Sequence, residues 1–333
     1  MNNSLIYLET GSTNPFYNLA FEETVLSKRL EKDYLILWQN DNTVVVGQNQ
    51  NTSAEIHQEF IDRHGIRVVR RSTGGGAVYH DLGNLNYSFI TDIDHAENLV
   101  KERFTLPIVN ALQGLGLDAQ ASGRNDILVS GHKVSGTAQR ILGKRILHHG
   151  TLLFDSNLDM VQGALRPEPL KLASKGIQSV RSRVGNIREF LPTDMDLPAF
   201  WAYLRTALIG NRGMTGTLSA AELSAVKSLQ EEKYSTWEWN YGKSPQYAFT
   251  CKEKWPGGIL EIRLTVESGC IADIAMYGDF LSTTPLDHVE NLLKGCRMER
   301  SAVTAALQEI HTPYYFGEIT RDEVVETIFR AFD

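Results

Sequence analysis

Three consecutive glycines, Gly74, Gly75 and Gly76, interrupt strand-like sequence in the stretch RRSTGGGAVYHDLGNLNYSF, residues 70–89. Glycine in a helix or strand interior costs backbone order, so a chain that keeps three together is committed to an irregular bend there. The functional use of such a bend is close approach of backbone N–H groups to a ligand, often an anion or an acyl carbonyl. Arg70 and Arg71 stand immediately before it and can hold a carboxylate or phosphate by bidentate hydrogen bonds. The bland alternative is a flexible hairpin with two solvated arginines. A Walker A loop is excluded, because no GxxxxGK[ST] string occurs in the chain.

Around this bend the chain mixes strands and helices without strict alternation, which favours an α+β fold over a doubly wound one. Asn14-Pro15 opens a helix, with Pro15 where a missing N–H costs nothing, and Phe16, Leu19, Ala20, Phe21 and Leu26 form its inward stripe. Strand-like runs follow at 34–38, 43–46, 66–69 and 85–90, then a helix near 98–115 and a strand at 127–129. Ser219 and Glu222 make a capping box for a later helix. The aromatic, turn-rich stretch 237–245 reads as a junction, so the expected division is a large unit, residues 1–245, and a small one, 246–333. In the small unit, 247–251, 258–266 and 271–276 alternate like an antiparallel sheet, and two or three helices close the chain, the last opened by Thr320 and Glu323.

Two further segments carry chemistry. Residues 124–150 hold five basic groups (Arg124, Lys133, Arg140, Lys144, Arg145) and one acid, Asp126, inside a chain of formal charge −7. Such a local surplus points to a polyanion site. Lys133, in GHKVSG, suits a compact charge on a phosphate. Asn125-Asp126 offers oxygens of the kind Mg²⁺ takes beside nucleotide phosphates, although Asp126 also reads as a turn residue. His148 and His149 read as a surface pair, pointing to opposite faces if they lie on a strand. Residues 171–188 carry five basic groups and no acid among glycines and serines. They are either a solvated loop or a lid that orders over a phosphate ligand.

The acidic balance argues against a dedicated nucleic-acid binder. No apolar run reaches the roughly 20 residues that span a bilayer, and the first residues do not read as a secretory signal. Cys251, Cys270 and Cys296 are odd in number and widely spaced, suiting a reducing cytoplasm rather than a disulfide framework or zinc ribbon.

Taken together, these segments resemble the lipoate–protein ligase family. RRSTGGGAVYHDLGN is similar to that family's RRxxGGGAVxHDxGN block, and NDI followed by KVSGTAQR to its ND…KxSGxAxR block; HHGTLL and KGIQSVRSRVGNI resemble two more, in the same order. The resemblance runs from about residue 18 to the WEWN segment and more weakly beyond. It implies a biotin/lipoyl-ligase-like catalytic domain with an accessory domain behind it. It also implies an enzyme that uses ATP and Mg²⁺ to make lipoyl-AMP, then acylates a lysine of apo lipoyl domains, in 2-oxoacid dehydrogenase E2 subunits and the glycine cleavage H protein. A monomer is expected, with no tightly bound prosthetic group, and neither nucleic acid nor membrane as a partner. By the resemblance, Lys133 meets both the acyl carboxyl end and the α-phosphate. Arg71, Gly76, Ala77, Val78 and Tyr79 fall at ATP positions. Arg70, Ser72, Gly75, His80, Gly136, Arg140 and His149 fall at or beside the lipoate pocket, Asp126 on the Mg²⁺ side, and Lys175, Arg181 and Arg183 in the lid over the adenylate.

Three rivals remain. An octanoyl- or lipoyl-transferase would need a cysteine nucleophile, and no cysteine precedes Cys251. A biotin ligase fits the blocks less closely. A non-catalytic adenylate-binding protein would be separated by assaying pyrophosphate release.

Overall fold

The structure is a computed structural model and describes residues 5–93, 102–123, 125–165, 184–210, 213–241, 249–267 and 269–330. Its strands are β1 (Leu5–Glu9), β2 (Asp33–Trp38), β3 (Thr43–Val46), β4 (Arg67–Arg70), β5 (Val78–His80), β6 (Asn84–Asp92) and β7 (Ala119–Ser122). They continue as β8 (Asp126–Val129), β9 (His132–Leu142), β10 (Arg145–Leu153), β11 (Met214–Thr215), β12 (Phe249–Trp255), β13 (Gly258–Glu267) and β14 (Cys270–Gly278). An eight-stranded mixed sheet runs β11-β1-β2-β6-β10-β9-β8-β7, parallel at its β11-β1-β2 end and antiparallel elsewhere. A second sheet, β4-β3-β5, has three strands, as does the antiparallel meander β12-β13-β14.

Both faces of the large sheet are covered, as the mixed pattern of an α+β chain requires. One face buries Leu35, Tyr87, Phe89 and Ile146 against helices Glu102–Gly114 and Leu197–Ile209. The other packs Ile36, Trp38 and Leu147 against helix Pro15–Lys28 and against Val45 and Val69 of the small sheet. The site lies on this second side, between the two sheets. Helix Pro15–Lys28 begins as expected, Asn14 Oδ1 accepting from the N–H groups of Phe16 and Tyr17 at 3.0 and 3.3 Å. Three polar residues, Asn18, Glu22 and Thr24, are buried on the same helix among the apolar stripe.

The meander and the helices after it bury a separate core that includes Leu260, Ile274, Phe280 and Val324. Four helices follow the meander among the described residues, Asp287–Leu293, Arg300–Leu307, Thr312–Phe316 and Arg321–Arg330, where two or three were expected. The extra one is a single turn begun by Pro313, too short to show helical periodicity in the sequence. Backbone hydrogen bonds join this unit to the rest: Gly278 N to Asn49 O at 2.6 Å, Gly75 N to Phe280 O at 3.1 Å, and Ile141 N to Thr283 O at 2.9 Å. Among the described residues, no helix is long and apolar enough to cross a membrane.

Candidate active site

The glycine bend has identifiable reasons. A Cβ on Gly47 would stand 1.9 Å from Gly75 O, and Gly75 itself has φ +88°, a conformation that side chains resist. A Cβ on Gly74 would stand 2.7 Å from Ser282 N and 2.8 Å from Phe280 O. The close approach expected for a ligand is therefore made at Gly74 and Gly75 by the C-terminal unit.

Arg71 is what holds the bend in shape. Its buried guanidinium donates from Nε to Thr73 Oγ1 at 3.0 Å and from Nη1 to Val45 O at 3.3 Å. Nη2 donates to Gly74 O at 2.6 Å and Gly76 O at 2.9 Å. Burial lowers its pKa to about 10, with Glu22 opposing the shift, so it stays charged at neutral pH.

Beside the bend opens a cavity of about 300 Å³. Its lining is buried at Leu19, Trp38, Val45, His80, Asn86 and His149, its inner end, and half-buried at Asn125, Asp126, Lys133 and Gly136, its outer part. The β8–β9 hairpin turns through Ser130 and Gly131, both at positive φ, and sets Asp126 opposite Gly136. Lys133 Nζ then lies 2.7 Å from Asp126 Oδ1, with both side chains about one-third exposed (38% and 30%). Gly136 lies alongside it, where a Cβ would make ordinary 3.6 Å contacts with Lys133 Cε and Nζ. Lys133 stands on β9, and Val184 bridges to it from the other side, with Gly185 N donating to Lys133 O at 3.1 Å.

The inner end is polar in an ordered way. His149 Nδ1 lies 2.9 Å from Glu22 Oε1, and its Nε2 lies 2.8 Å from Thr73 Oγ1. Ser88 donates to the same Glu22 oxygen at 2.5 Å and accepts from Trp38 Nε1 at 2.9 Å. His80 is fixed by a relay that begins in backbone. Asn18 Nδ2 donates to Ser12 O at 3.0 Å, Gln39 O at 2.7 Å and Asn40 Oδ1 at 2.9 Å. Asn40 Nδ2 therefore faces His80 Nδ1, at 3.1 Å, and the ring proton resides on Nε2. Burial pushes His80 down to about 3, with Arg71 and His149 acting the same way, so the ring is neutral. Among the described residues nothing accepts from its Nε2.

Ten sequence-predicted residues meet at this cavity: Arg71, Gly75, Gly76, Ala77, Val78, His80, Asp126, Lys133, Gly136 and His149. Others are not among its lining. Tyr79 alternates with Val78 and His80 on β5, and its hydroxyl donates to Asn42 Oδ1 at 2.9 Å. Ser72 is hydrogen-bonded to the buried Tyr234. Arg140 Nη1 donates at 3.1 Å to Glu23, which Lys233 Nζ also reaches at 2.7 Å and Tyr234 OH also bonds. Arg70 points away from Arg71, and its guanidinium donates to backbone carbonyls and Thr52 rather than into the cavity. Lys175, Arg181 and Arg183 lie outside the described residues. The surface reading of the histidine pair is overturned, because both are buried: β10 has neighbours on both edges, so His148 stacks on Phe104 while His149 faces Glu22. Sequence reasoning missed Glu22, whose only signal is a carboxylate inside a helix's apolar stripe. It also missed Asp279, a buried residue of the C-terminal unit that lines the cavity.

The chain belongs to the lipoate–protein ligase family: the family model for the lipoyl protein ligase A/B catalytic domain matches residues 14–209, and that for the bacterial lipoate protein ligase C-terminus matches residues 244–328. Among individual proteins it is similar to lipoate-protein ligase LplJ of Bacillus subtilis (strain 168), 40% identical over 98% of this chain and 100% of that one. Solved structures that share its fold include two lipoate ligases. One is a bi-partite lipoate protein ligase from Thermoplasma acidophilum, described with its E2 lipoyl domain. It is 30% identical, with a TM-score of 0.65 over 74% of this chain and 99% of the other. The second is a lipoate-protein ligase A bound with ATP, 30% identical, with a TM-score of 0.63 over 73% of this chain and 99% of the other.

Proposed function

We propose that this chain activates lipoate with ATP to lipoyl-AMP and pyrophosphate, then transfers the lipoyl group to a lysine of an apo lipoyl domain. The observation that carries this reading is the polarity of one cavity. A lysine–aspartate pair stands at its outer part, and an enclosed inner end with apolar and neutral imidazole surface lies beyond. An acyl chain enters tail first, which leaves its carboxylate beside Lys133. Attack of that carboxylate on the α-phosphorus brings two anions together, so a fixed cation lowers the barrier. The bond from the α-phosphorus to the bridging oxygen breaks and pyrophosphate leaves. A neutral lysine amine then attacks the activated carbonyl, and AMP departs with the carboxyl oxygen.

Asp126, with Asn125 beside it, fits the role of Mg²⁺ ligand, since that ion usually takes one or two carboxylates along with substrate phosphates. No group of three or more His, Cys, Asp or Glu that could hold a metal occurs among the described residues. When bound, Mg²⁺ offsets phosphate charge. Asp126 meanwhile pairs with Lys133 at 2.7 Å and so positions its amine at the reacting end. The thioester route of the transferases finds no support, as none of Cys251, Cys270 and Cys296 lines the cavity.

Apo lipoyl domains of 2-oxoacid dehydrogenase E2 subunits and the glycine cleavage H protein are the acceptors we propose, in the cytoplasm. The E2 lipoyl domain described with the Thermoplasma ligase supports the first. A division at residues 1–245 and 246–333 is supported by the separate core of the last strands and helices. The test is purified chain with ATP, Mg²⁺, lipoate and an apo lipoyl domain. Lipoate-dependent pyrophosphate and a lipoylated domain are expected by mass spectrometry. Acylation that proceeds from an octanoyl carrier protein without ATP would assign the chain to the transferases instead.

A further inference from the structure

A second cavity, of about 270 Å³, lies between the two units and shares no lining residue with the first. We propose that it is a binding site for a small zwitterion of the free amino-acid class, its carboxylate end at Gln50 and Arg70 and its ammonium end at Glu290 and Asp287.

The first wall comes from the catalytic unit. Gln50 is 1% exposed, and its Oε1 accepts from Gly47 N at 2.8 Å, which fixes the orientation of the amide. Its Nε2 is left without a partner among the described residues, on a side chain that lines the cavity. A buried donor without an acceptor is costly, and a ligand oxygen would satisfy it. Arg70 adds charge to the same wall. Its donors are taken by the carbonyls of Gly47, Gln48, Gln50, Trp239 and Asn240 and by the Thr52 hydroxyl. No carboxylate is among these partners, so Arg70 supplies a positive field while offering no further hydrogen bond.

The facing wall comes from the C-terminal unit and has the opposite sign. The Glu290 carboxylate accepts from Met276 N at 2.8 Å, and Asp287 lies one helical turn before it. Burial raises Glu290 to about 7, and Asp287 pushes the same way, as expected for a carboxylate short of cations. Lys294, which opposes that shift, is engaged by Asp273 at 2.8 Å. Glu238 also lines the cavity and is itself exposed to solvent. Between the walls lie Trp239 and Leu286, surface for a short side chain.

A simple cation would leave Gln50 Nε2 unsatisfied, and a simple anion would face two carboxylates. A zwitterion answers both walls, and the volume lies below the usual range for drug-sized ligands, which limits the occupant to amino-acid size. Held by both units, it would stabilise their present arrangement by mass action.

The experiment screens free L-amino acids by thermal shift on the full chain. It then compares the best binder with two analogues by calorimetry, its primary amide and its desamino acid. At least one amino acid should raise the melting temperature at millimolar concentration, and each analogue should bind at least about tenfold more weakly. Gln50→Glu keeps the acceptor for Gly47 N but replaces the free donor with charge, and Glu290→Gln keeps the acceptor for Met276 N but removes charge. Both should weaken binding by roughly tenfold or more. Asp287→Asn, at an exposed position, gives the same reading should either variant fold poorly. Absence of any binder, equal binding of the analogues, or unchanged affinity in the folded variants would overturn the proposal. None of these outcomes bears on lipoate-dependent pyrophosphate release, so the two readings fail separately.

Discussion

Replacing Arg70 by methionine should unfold the protein more readily while leaving the folded fraction able to use lipoate. The guanidinium ties together the carbonyls of Gly47 (3.0 Å), Gln48 (2.9 Å), Gln50 (2.6 Å), Trp239 (2.9 Å) and Asn240 (3.3 Å) and the Thr52 hydroxyl (2.7 Å). It thereby binds the 47–52 loop and the WEWN turn to the end of β4. Burial lowers its pKa to about 10, a sign that carbonyls rather than a carboxylate compensate the charge. Each lost charge-assisted bond is worth about 1.5–3 kcal/mol in isolation. The sum is not additive, because the adjoining cavity admits water to the abandoned carbonyls. A net loss of about 3–4 kcal/mol follows, roughly two such bonds' worth, with water taking up the rest. For a chain of this size that is a fall of roughly 5 °C in melting temperature. Calorimetry at several scan rates gives the melting temperature, and pyrophosphate release gives the Michaelis constant for lipoate. An unchanged melting temperature with a much raised Michaelis constant would refute this reasoning and place Arg70 on the ligand.

Other substitutions probe the rest of the account. His80 is buried and neutral, with a folded pKa near 3 against an ordinary value of 6.5, so its contribution is fully present above pH 6.5 and is lost as pH falls toward 3. His80→Phe should therefore lose less stability than the parent between pH 6.5 and 4, measured as urea midpoints; parallel curves would contradict it. Gly74→Ala sets a methyl 2.7 Å from Ser282 N and should cost about 1–3 kcal/mol in the same assay, whereas an unchanged midpoint would mean the contact yields. Serine at Cys251, Cys270 and Cys296 together should preserve ATP-dependent lipoylation, and recovery of a lipoyl thioester on any of them in the parent would overturn the direct route.

Local signals were legible in the sequence because they are closed within one turn of chain. Ser219 and Glu222 make both halves of their capping box, and Thr320 and Glu323 repeat it at the last helix. The residues around the cavity were legible as a set because the family's blocks bring them together. What could not be read is which way neighbouring side chains point. Arg70 and Arg71 are adjacent in sequence and stand at different cavities, since strand neighbours face opposite sides and register is a tertiary fact. Long-range pairings were equally hidden: Glu22 meets His149 across 127 residues, and Gly74 is small because Phe280 and Ser282 pack on it. Buried polar partners of this kind carry no local period and emerge only once the sheets have formed.

The central claim is that Lys133 carries the adenylation step, and the most direct measurement is lipoate-dependent pyrophosphate release by Lys133→Ala. The side chain is 38% exposed and its partner Asp126 30% exposed, so the variant should fold with a near-parental melting temperature. Loss of a charge contact made to the transition state predicts a fall in rate of about 10²–10³. A folded variant that releases pyrophosphate at close to the parental rate would contradict the account.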